Sequence, residues 1–253
     1  MDMEEITSRS NALLRHMRRL ADSASYRRER REFLCDSPKL LDEALLWHAP
    51  VQAVVFTRGT AVPALPDGVR AAAVPEDVMA SVSPMKTPQG VAFTCRMEPR
   101  PLPEKLTGRR YVVLDGVQDP GNVGTVLRTA DAFECNGAVL LDGCADLYGP
   151  KTVRASMGAV FRIPVWNCTV PELAGVLGKS DLPLYGAALQ QDTEDVRTVD
   201  LHRAALAVGS EGHGLSEEVL ALCRKTIRIP MAPRCESLNA AAAAAVLLWE
   251  AYR

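Results

Sequence analysis

The stretch that decides the fold of the second half of this chain is LDGVQDPGNVGTVLRTADAF, residues 114–133. It begins as an apolar strand, crosses a loop that contains Gly121, Asn122 and Gly124, and continues as a helix with one arginine, Arg128. A strand that leads through a glycine-bearing turn into a helix presents backbone N–H groups to an anion. The stretch lacks both the Gly-x-Gly-x-x-Gly spacing of dinucleotide sites and the Gly-Lys-Ser/Thr ending of a P-loop, so neither site is predicted.

The chain after Gly108 alternates between apolar, strand-like segments and helical segments. The strand candidates are RYVVLDGV, GAVLL, IPVW, LPLYGAA, RAALAVG and KTIRIP. Helical patterns begin near Val123, at KTVRASMGAVF, at VPELAGVL and at SEEVLALC, and a last helix runs to Tyr252. This alternation predicts a doubly wound α/β domain, with a parallel sheet covered on both faces and ligands beyond the carboxyl ends of its strands.

The part of the chain before these segments also mixes helices with strands. Helices are predicted for NALLRHMRRL, KLLDEALLWHA and PEDVMASVS, and strands for VQAVVFTRG and GVAFTC. Alternating prolines at 99, 101 and 103 favour a stiff, extended segment that cannot join a helix. We therefore predict a smaller α/β domain at residues 1–98, a proline-rich linker at 99–107 and a larger domain at 108–253.

The composition is that of an ordinary globular protein of 253 residues, 47% hydrophobic and 24% charged. There is no run of about 18 apolar residues. The first residues, MDMEEITSRS, are acidic and polar, which predicts a cytoplasmic protein without a membrane segment. The seven cysteines are scattered, with no Cys-x-x-Cys pair and no histidine at ligand spacing. We therefore expect small buried thiols, with no zinc site and no disulfide framework.

The net charge of −2 shows no basic excess, but the charge is unevenly distributed. Residues 15–31 contain seven arginines against Asp22 and Glu29, a local excess of five positive charges. One interpretation is a solvated helix face. The other is an RNA-facing surface, because a guanidinium group binds two phosphate oxygens at once. The candidate RNA-binding residues are Arg15, Arg18, Arg19, Arg27 and Arg28.

Three loops follow apolar strands of the larger domain: DPGNVGTVLRTA at 119–130, VGSEGHGLS at 208–216 and IPMAPRCESLNAA at 229–241. Since the strands belong to one parallel sheet, the loops are expected to converge at its carboxyl edge. Simpler interpretations remain open for two of them. The second loop can be a tight turn before a helix capped by Ser216, and Ser237 or Asn239 can be plain caps of the last helix.

Taken together, the loops resemble the motifs of the SpoU (TrmH-type) RNA ribose 2′-O-methyltransferases. Asn122, Gly124 and Arg128 stand where the family has Asn-x-Gly-x-x-x-Arg. Residues 209–211 match its Gly-x-Glu, and IPM at 229–231 with SLN at 237–239 matches its third motif. The resemblance covers the domain at 108–253. The N-terminal ITSRSN and the helices after it resemble the small ribosomal-protein-like substrate-binding domain often attached upstream.

The resemblance implies a trefoil-knotted catalytic domain that binds S-adenosylmethionine and forms a homodimer through the C-terminal domain. It implies RNA as substrate, with ribosomal RNA favoured over transfer RNA, and cofactor contacts from Gly209, Ile229, Met231 and Leu238. No metal is implied, because the methyl group on a sulfonium is already activated for in-line displacement, and no membrane partner is expected.

The catalytic residues implied by the resemblance are Arg128, Asn122, Glu211 and Asn239. A guanidinium group does not readily lose its proton, so we expect Arg128 to clamp the target phosphate and to stabilise the incipient alkoxide. A salt bridge on its own helix is the alternative. The asparagines are expected to orient the ribose or fix the loops, and Glu211 to organise the site through backbone or arginine contacts.

Departures from the family pattern keep other functions open. Ala240 and Ala241 follow Asn239, so a second serine of the third motif is absent, and Pro233 stands where a glycine is common. One alternative is an RNA-binding or ribosome-assembly factor that does not methylate, and another is a transfer RNA methyltransferase. A third is a nicotinamide-dependent oxidoreductase, for which the glycine spacing is a poor match.

Overall fold

A computed structural model describes residues 4–98, 100–235 and 237–253, and the chain divides into two compact units. The first unit comprises residues 1–99 and 146–161, and the second comprises residues 100–145 and 162–253. The first change of unit falls where the prolines begin. Residues 146–161 lie in the first unit, whereas the sequence-based division places them in the domain at 108–253.

The first unit contains a mixed sheet with helices. In chain order its first part forms β1 (Glu4–Glu5), α1 (Ala12–Asp22), α2 (Ala24–Arg30), β2 (Glu32–Asp36), α3 (Pro38–Leu46), β3 (Val51–Thr57), β4 (Arg70–Val74), α4 (Glu76–Ala80) and β5 (Val91–Arg96). The strand order is β1-β4-β3-β5-β2. Strands β1, β4 and β3 run parallel, whereas β5 runs antiparallel to both of its neighbours.

The second half of the chain alternates strands and helices, as the sequence predicts. Its elements are β6 (Arg110–Asp115), α5 (Pro120–Ala132), β7 (Gly137–Leu140), α6 (Pro150–Ser156), α7 (Ala159–Arg162), β8 (Val165–Asn167), α8 (Val170–Ser180), β9 (Leu184–Ala187), β10 (Glu194–Asp195), a short 3-10 turn (Val196–Thr198), β11 (Ala204–Gly209), α9 (Glu217–Leu222), β12 (Lys225–Arg228) and α10 (Ala240–Tyr252). The sheet order is β10-β12-β9-β11-β6-β7-β8, and every pair is parallel. The predicted parallel α/β sheet is confirmed.

The core of the first unit follows from the apolar spacing of α1. Leu13, Leu14, Met17 and Leu20 recur on one helix face and are buried. Asn11 begins the helix, because its side-chain oxygen accepts a hydrogen bond from the backbone N–H of Leu13 at 2.8 Å. The helix therefore packs its apolar stripe on the sheet and leaves its arginines on other faces.

Residues 146–161 belong to the first unit because their side chains complete its core and pair its buried charges. Val153 is buried in a cluster with Phe33, and Phe33 also contacts the rings of Tyr148 and Phe161. Asp36, 3% exposed, accepts two hydrogen bonds from Arg154, at 3.2 and 2.7 Å. Apolar periodicity within one segment does not reveal such long-range partners.

Several helices differ from the sequence-based expectation: α2 has no counterpart among the predicted helices, and α4 is shorter than the segment PEDVMASVS. Helix α5 begins at Pro120 rather than near Val123, since Pro120 suits the first turn and Asp119 accepts from the backbone N–H of Asn122 at 2.9 Å. The helix expected over 151–161 is broken into α6 and α7, because Met157 and Gly158 have positive φ angles of 49° and 90°. None of the helices in the described residues combines the length and the apolar character needed to cross a bilayer.

Candidate active site

Three polar side chains, one from each of the three loops, meet at the carboxyl edge of the second sheet. The side-chain amide of Asn122, in the first turn of α5, donates to Oε1 of Glu211. The amide of Asn239, just before α10, donates to Oδ1 of Asn122 at 3.1 Å and lies 3.4 Å from Oε1 of Glu211. The predicted convergence of the loops is therefore present, and Glu211 contacts two amides rather than an arginine.

The N-terminus of α10 explains why Asn239 points into this cluster. Its Oδ1 accepts from the backbone N–H groups of Ala241 and Ala242 at 3.0 and 3.2 Å, which fixes the amide plane. The Nδ2 atom is thereby directed at Asn122 and Glu211. Asn239 is thus both the cap of α10 and a member of the cluster, so the two interpretations offered by the sequence are compatible.

The loop that carries Glu211 is a tight turn closed on itself. Ser210 and Gly214 exchange two backbone hydrogen bonds, at 3.2 and 2.9 Å. A Cβ atom on Gly209 would lie 2.1 Å from the backbone of Gly214, so only glycine fits there. Beyond the turn, Ser216 caps α9 by accepting from the backbone N–H of Val219 at 3.4 Å, as expected.

Asp115 also contributes to this region, although it is not among the residues predicted for the site. It is the last residue of β6, is 9% exposed, and accepts a hydrogen bond from the backbone N–H of Ser216 at 2.7 Å. The contact ties the end of the Glu211 loop to the strand that leads to Asn122. An acidic residue that ends an otherwise apolar strand is the signal that points to it, since a buried carboxylate needs a partner.

An apolar cavity opens beside the cluster. The predicted cofactor residues Gly209, Ile229, Met231 and Leu238 all line it. Its remaining walls come from the ends of β9, β11 and β12, from the loops that follow these strands and from α10: Ala187, Ala188, Leu189, Val208, Ser210, Glu211, Gly214, Ile227, Arg228, Ser237, Ala240, Ala243 and Leu247. The alanine run of α10 therefore lets the helix approach the cavity and the sheet closely.

The cavity suits a ligand with a flat apolar body and a polar edge. Within the described ranges, the backbone N–H and C=O groups of Met231 and Leu238 make no hydrogen bond, and both residues lie at the cavity wall. Backbone groups of this kind can read the edge of a heterocycle whose faces pack against aliphatic side chains.

Arg128 is exposed on α5, six residues after Asn122. Within the described residues its guanidinium takes part in no hydrogen bond and no ion pair, so the salt bridge on its own helix is not observed there. Among these residues it makes no hydrogen bond to Asn122, Glu211 or Asn239. An exposed guanidinium without an anionic partner is available to an incoming phosphate.

The five arginines predicted to face RNA have different environments. Arg15, Arg19 and Arg28 are exposed. Arg18 is half-buried and donates to Oγ of Ser81 and to a backbone carbonyl.

The environment of Arg27 contradicts the prediction that this residue faces RNA, because Arg27 is only 5% exposed. Its Nε and Nη2 donate to Oδ2 of Asp146 at 3.0 and 2.6 Å, and its Nη1 donates to the carbonyl oxygens of Leu20 and Ala21. A guanidinium with this set of internal partners is a structural group and does not face a nucleic acid.

Most cysteines have the buried environment that the sequence analysis expected. Burial raises the pKa of Cys135 to about 12 and the pKa values of Cys168 and Cys223 to about 11. Cys235 differs, since it is exposed. His213, in the loop that carries Glu211, is exposed.

Comparison with known proteins gives this site a context. Residues 109–249 match the SpoU rRNA methylase family, and residues 11–92 match the MRM3-like substrate-binding domain. The chain belongs to the SpoU rRNA methylase family. The first match spans the whole second sheet and includes Asn122, Glu211 and Asn239.

Relatives of this family member are similar over nearly their full lengths. The 23S rRNA (guanosine(2553)-2′-O)-methyltransferase of Bacillus subtilis is 33% identical over 98% of both chains. The AdoMet-bound rRNA methyltransferase from Sinorhizobium meliloti superposes with a TM-score of 0.87 at 30% identity, covering 98% of this chain and 97% of that one. The SpoU methyltransferase AviRb from Streptomyces viridochromogenes, also solved with AdoMet, gives 0.83 at 26% identity, covering 96% and 97%.

Proposed function

We propose that this protein transfers a methyl group from S-adenosylmethionine to a ribose 2′-hydroxyl of ribosomal RNA. The observation that carries the proposal is the hydrogen-bonded cluster of Asn122, Glu211 and Asn239 beside an apolar cavity, in a member of the SpoU family. Relatives named as ribosomal RNA 2′-O-methyltransferases match over almost the entire chain, and two similar structures were solved with AdoMet.

S-adenosylmethionine is the cofactor, and the cavity fits it. Its aliphatic walls suit an adenine ring, and the backbone groups of Met231 and Leu238 suit the polar ring edge. When bound, the cofactor supplies a methyl group that its sulfonium has activated for displacement. Gly209, Ile229, Met231 and Leu238 are the residues proposed to hold it.

The polar residues act on the ribose hydroxyl, which is a poor nucleophile until its developing negative charge is stabilised. Arg128 is proposed to hold the target phosphate and to stabilise the charge on the 2′-oxygen, because a guanidinium group does not readily lose its proton and this one has no partner among the described residues. Asn122 and Asn239 are proposed to orient the ribose. Glu211 is proposed to fix both amides, since its Oε1 already accepts from Asn122.

Recognition of the RNA is assigned to residues 1–98, in the division by sequence into 1–98, 99–107 and 108–253, although residues 146–161 pack into the same compact unit as the N-terminal residues. The match to a substrate-binding domain over residues 11–92 supports this assignment. The exposed residues Arg15, Arg19 and Arg28 are proposed to contact RNA, with Arg18 beside them. We favour ribosomal over transfer RNA because of the relatives' names, and infer a cytoplasmic location.

A homodimer through the C-terminal domain and a trefoil knot are parts of the same proposal. Helix α10 leaves Val246, Trp249 and Tyr252 at 40%, 51% and 38% exposure, and the last two contact the ring of Phe133. Such an exposed aromatic patch supports an interface with a second copy. The crossover from β11 past β9 to β12 supports the knot.

Calorimetric titration with S-adenosylmethionine and S-adenosylhomocysteine tests the cofactor, and transfer of tritiated methyl groups to ribosomal and transfer RNA tests the reaction. We expect micromolar cofactor binding and methylation of ribosomal RNA. Replacement of Arg128 by alanine is expected to lower kcat about a hundredfold or more. The matched control is Arg109→Ala, an exposed arginine at the opposite, amino edge of the same sheet.

Each alternative has its own outcome in this experiment. A folded protein that binds neither ligand would be an RNA-binding relative without methyltransferase activity. Methylation of transfer RNA alone would replace the proposed substrate. An Arg128→Ala variant within a few-fold of the wild type would remove the proposed role of that residue.

A further inference from the structure

The side chain of Arg19, in the first unit, is held in place although no anion pairs with it among the described residues. The guanidinium carbon of Arg19 lies 3.8 Å from the centroid of the Tyr26 ring, a cation–π contact. Arg19 is exposed, and within the described part of the chain its side chain makes no hydrogen bond and no ion pair. The ring covers one face of the guanidinium, while its N–H donors have no acceptor in the part of the chain that the structure describes.

The ring beneath Arg19 is itself held in place by contacts of Tyr26 with Ser23 and His16. Tyr26 is 7% exposed, and its backbone N–H donates to Oγ of Ser23 at 3.2 Å. Its hydroxyl is 3.0 Å from Nδ1 of His16, and Nε2 of His16 is 3.0 Å from Oε2 of Glu32. The chain of contacts from Glu32 to Arg19 thus joins β2, α1 and α2, so the ring is a rigid support.

Neighbouring arginines do not share this arrangement. Arg18 and Arg27 give their donors to internal oxygens. Arg30 lies 5.3 Å from the same ring, but has the carboxylate of Glu29 at 3.6 Å. Arg19 is therefore distinguished from these three arginines by being both oriented and unpaired.

We propose that Arg19, positioned by Tyr26, binds a backbone phosphate of the RNA, an inference that rests on the proposed function. A planar guanidinium offers two parallel N–H groups that match two phosphate oxygens. Because the ring contact already restricts the side chain, less conformational entropy is lost on binding than for a free arginine. The exposed Arg15 and Arg28 on the same two helices add positive charge to this surface, which attracts a polyanion.

The test is RNA binding by the full-length protein, measured as fluorescence anisotropy of a labelled RNA hairpin with an unpaired loop over a series of KCl concentrations. Arg19→Ala is expected to weaken binding about tenfold and to reduce the salt slope by about 1, the value for one lost phosphate contact. Tyr26→Leu is expected to weaken binding while retaining the charge. Tyr26→Phe retains the ring and is expected to lose less affinity than Tyr26→Leu.

The matched control is Arg58→Ala, which removes an exposed arginine of the same unit that is paired with Glu5. Equal affinity and salt slope for Arg19→Ala and Arg58→Ala would overturn the proposal, as would a wild-type protein that does not bind the hairpin. Cofactor titration and methyl transfer by the wild type are measured separately. If the wild type methylates RNA and the Arg19→Ala variant binds RNA as tightly as the wild type, only the proposed phosphate contact is refuted.

Discussion

Asn239 donates a hydrogen bond to Oδ1 of Asn122 at 3.1 Å, although 117 residues separate the two in the chain. The contact joins the cap of α10 to the first turn of α5, and these two helices pack against each other. Each asparagine uses one side-chain atom to hold the other. Glu211 adds a third point of attachment, so the positions of the helix ends depend on the cluster as a whole.

Replacing Asn239 separates its two roles. Asn239→Ala removes the cap and the cluster contact, and we expect a loss of about 1 kcal/mol in unfolding free energy together with a large fall in kcat. Asn239→Asp retains a capping oxygen but places a second carboxylate beside Glu211, so stability is expected to be kept while kcat falls. Equal kcat for Asn239→Asp and the wild type would show that catalysis does not need the cluster.

Gly209 and Gly212 provide a matched pair within one loop. In Gly209→Ala the new methyl group would collide with the backbone of Gly214, so the loop must move and the affinity for S-adenosylmethionine is expected to fall about tenfold or more. In Gly212→Ala the methyl group meets nothing within 4 Å. Calorimetry should find Gly212→Ala close to the wild type; equal losses in both variants would contradict the steric argument.

Asp115 should act on the site through the Glu211 loop. Asp115→Ala leaves the backbone N–H of Ser216 without its acceptor, which costs about 1–3 kcal/mol of stability, and raises the KM for the cofactor because the loop is released. Asp115→Asn keeps an oxygen acceptor and is expected to recover most of both losses. Ser216→Ala keeps the N–H and removes only the cap of α9, so its KM should stay unchanged. A raised KM in Ser216→Ala alone would contradict this role.

The second sheet and its three loops could be predicted from the sequence because each depends on local patterns. Strands such as β6 and β11 are continuous apolar runs, as buried parallel strands require, and the loops follow them directly. Since parallel strands share one carboxyl edge, loops spaced far apart in sequence had to meet there. The meeting of Asn122 with Glu211 follows from that rule.

Helix α2 and the placement of residues 146–161 could not be predicted in this way. The ASYRRER sequence of α2 has no apolar stripe, and it forms a helix that Ser23 caps and Arg31 ends with a left-handed φ of 50°. Its buried Arg27 depends on Asp146, 119 residues later. A charged residue looks solvated in a sequence, and only its distant partner shows that it is buried.

The thiols should differ widely in reactivity. An alkylating reagent attacks the thiolate, and burial raises the pKa of Cys135 to about 12 and the pKa values of Cys168 and Cys223 to about 11. At pH 8 we expect iodoacetamide to modify the exposed Cys235 first, and these three only after unfolding, as read by mass spectrometry of peptides.

Because the folded pKa values of these three thiols are raised, the free energy of unfolding is also expected to fall as the pH rises above the ordinary thiol pKa of 9.0.

A different order of cysteine modification would contradict the predicted difference in thiol reactivity. If Cys135 reacts with the native protein as fast as Cys235, the environment of Cys135 is open rather than buried. A Cys235→Ser variant is the control, since it removes the fast reaction and should leave the slow ones unchanged.

Arg27 should be needed for folding and not for RNA binding. Its ion pair with Asp146 is largely enclosed, with side chains 6% and 29% exposed, so Arg27→Met or Asp146→Asn is expected to lower the unfolding free energy by about 3 kcal/mol in urea titrations. The control pair Arg58–Glu5 is exposed, at 76% and 42%, and Arg58→Ala is expected to cost under about 1 kcal/mol.

RNA binding should not depend on Arg27, because Arg27 gives its donors to Asp146 and to the carbonyl oxygens of Leu20 and Ala21. The folded Arg27→Met variant should therefore keep the salt slope of RNA binding found for the wild type. A slope reduced by about 1 with unchanged stability would instead make Arg27 a phosphate-binding residue.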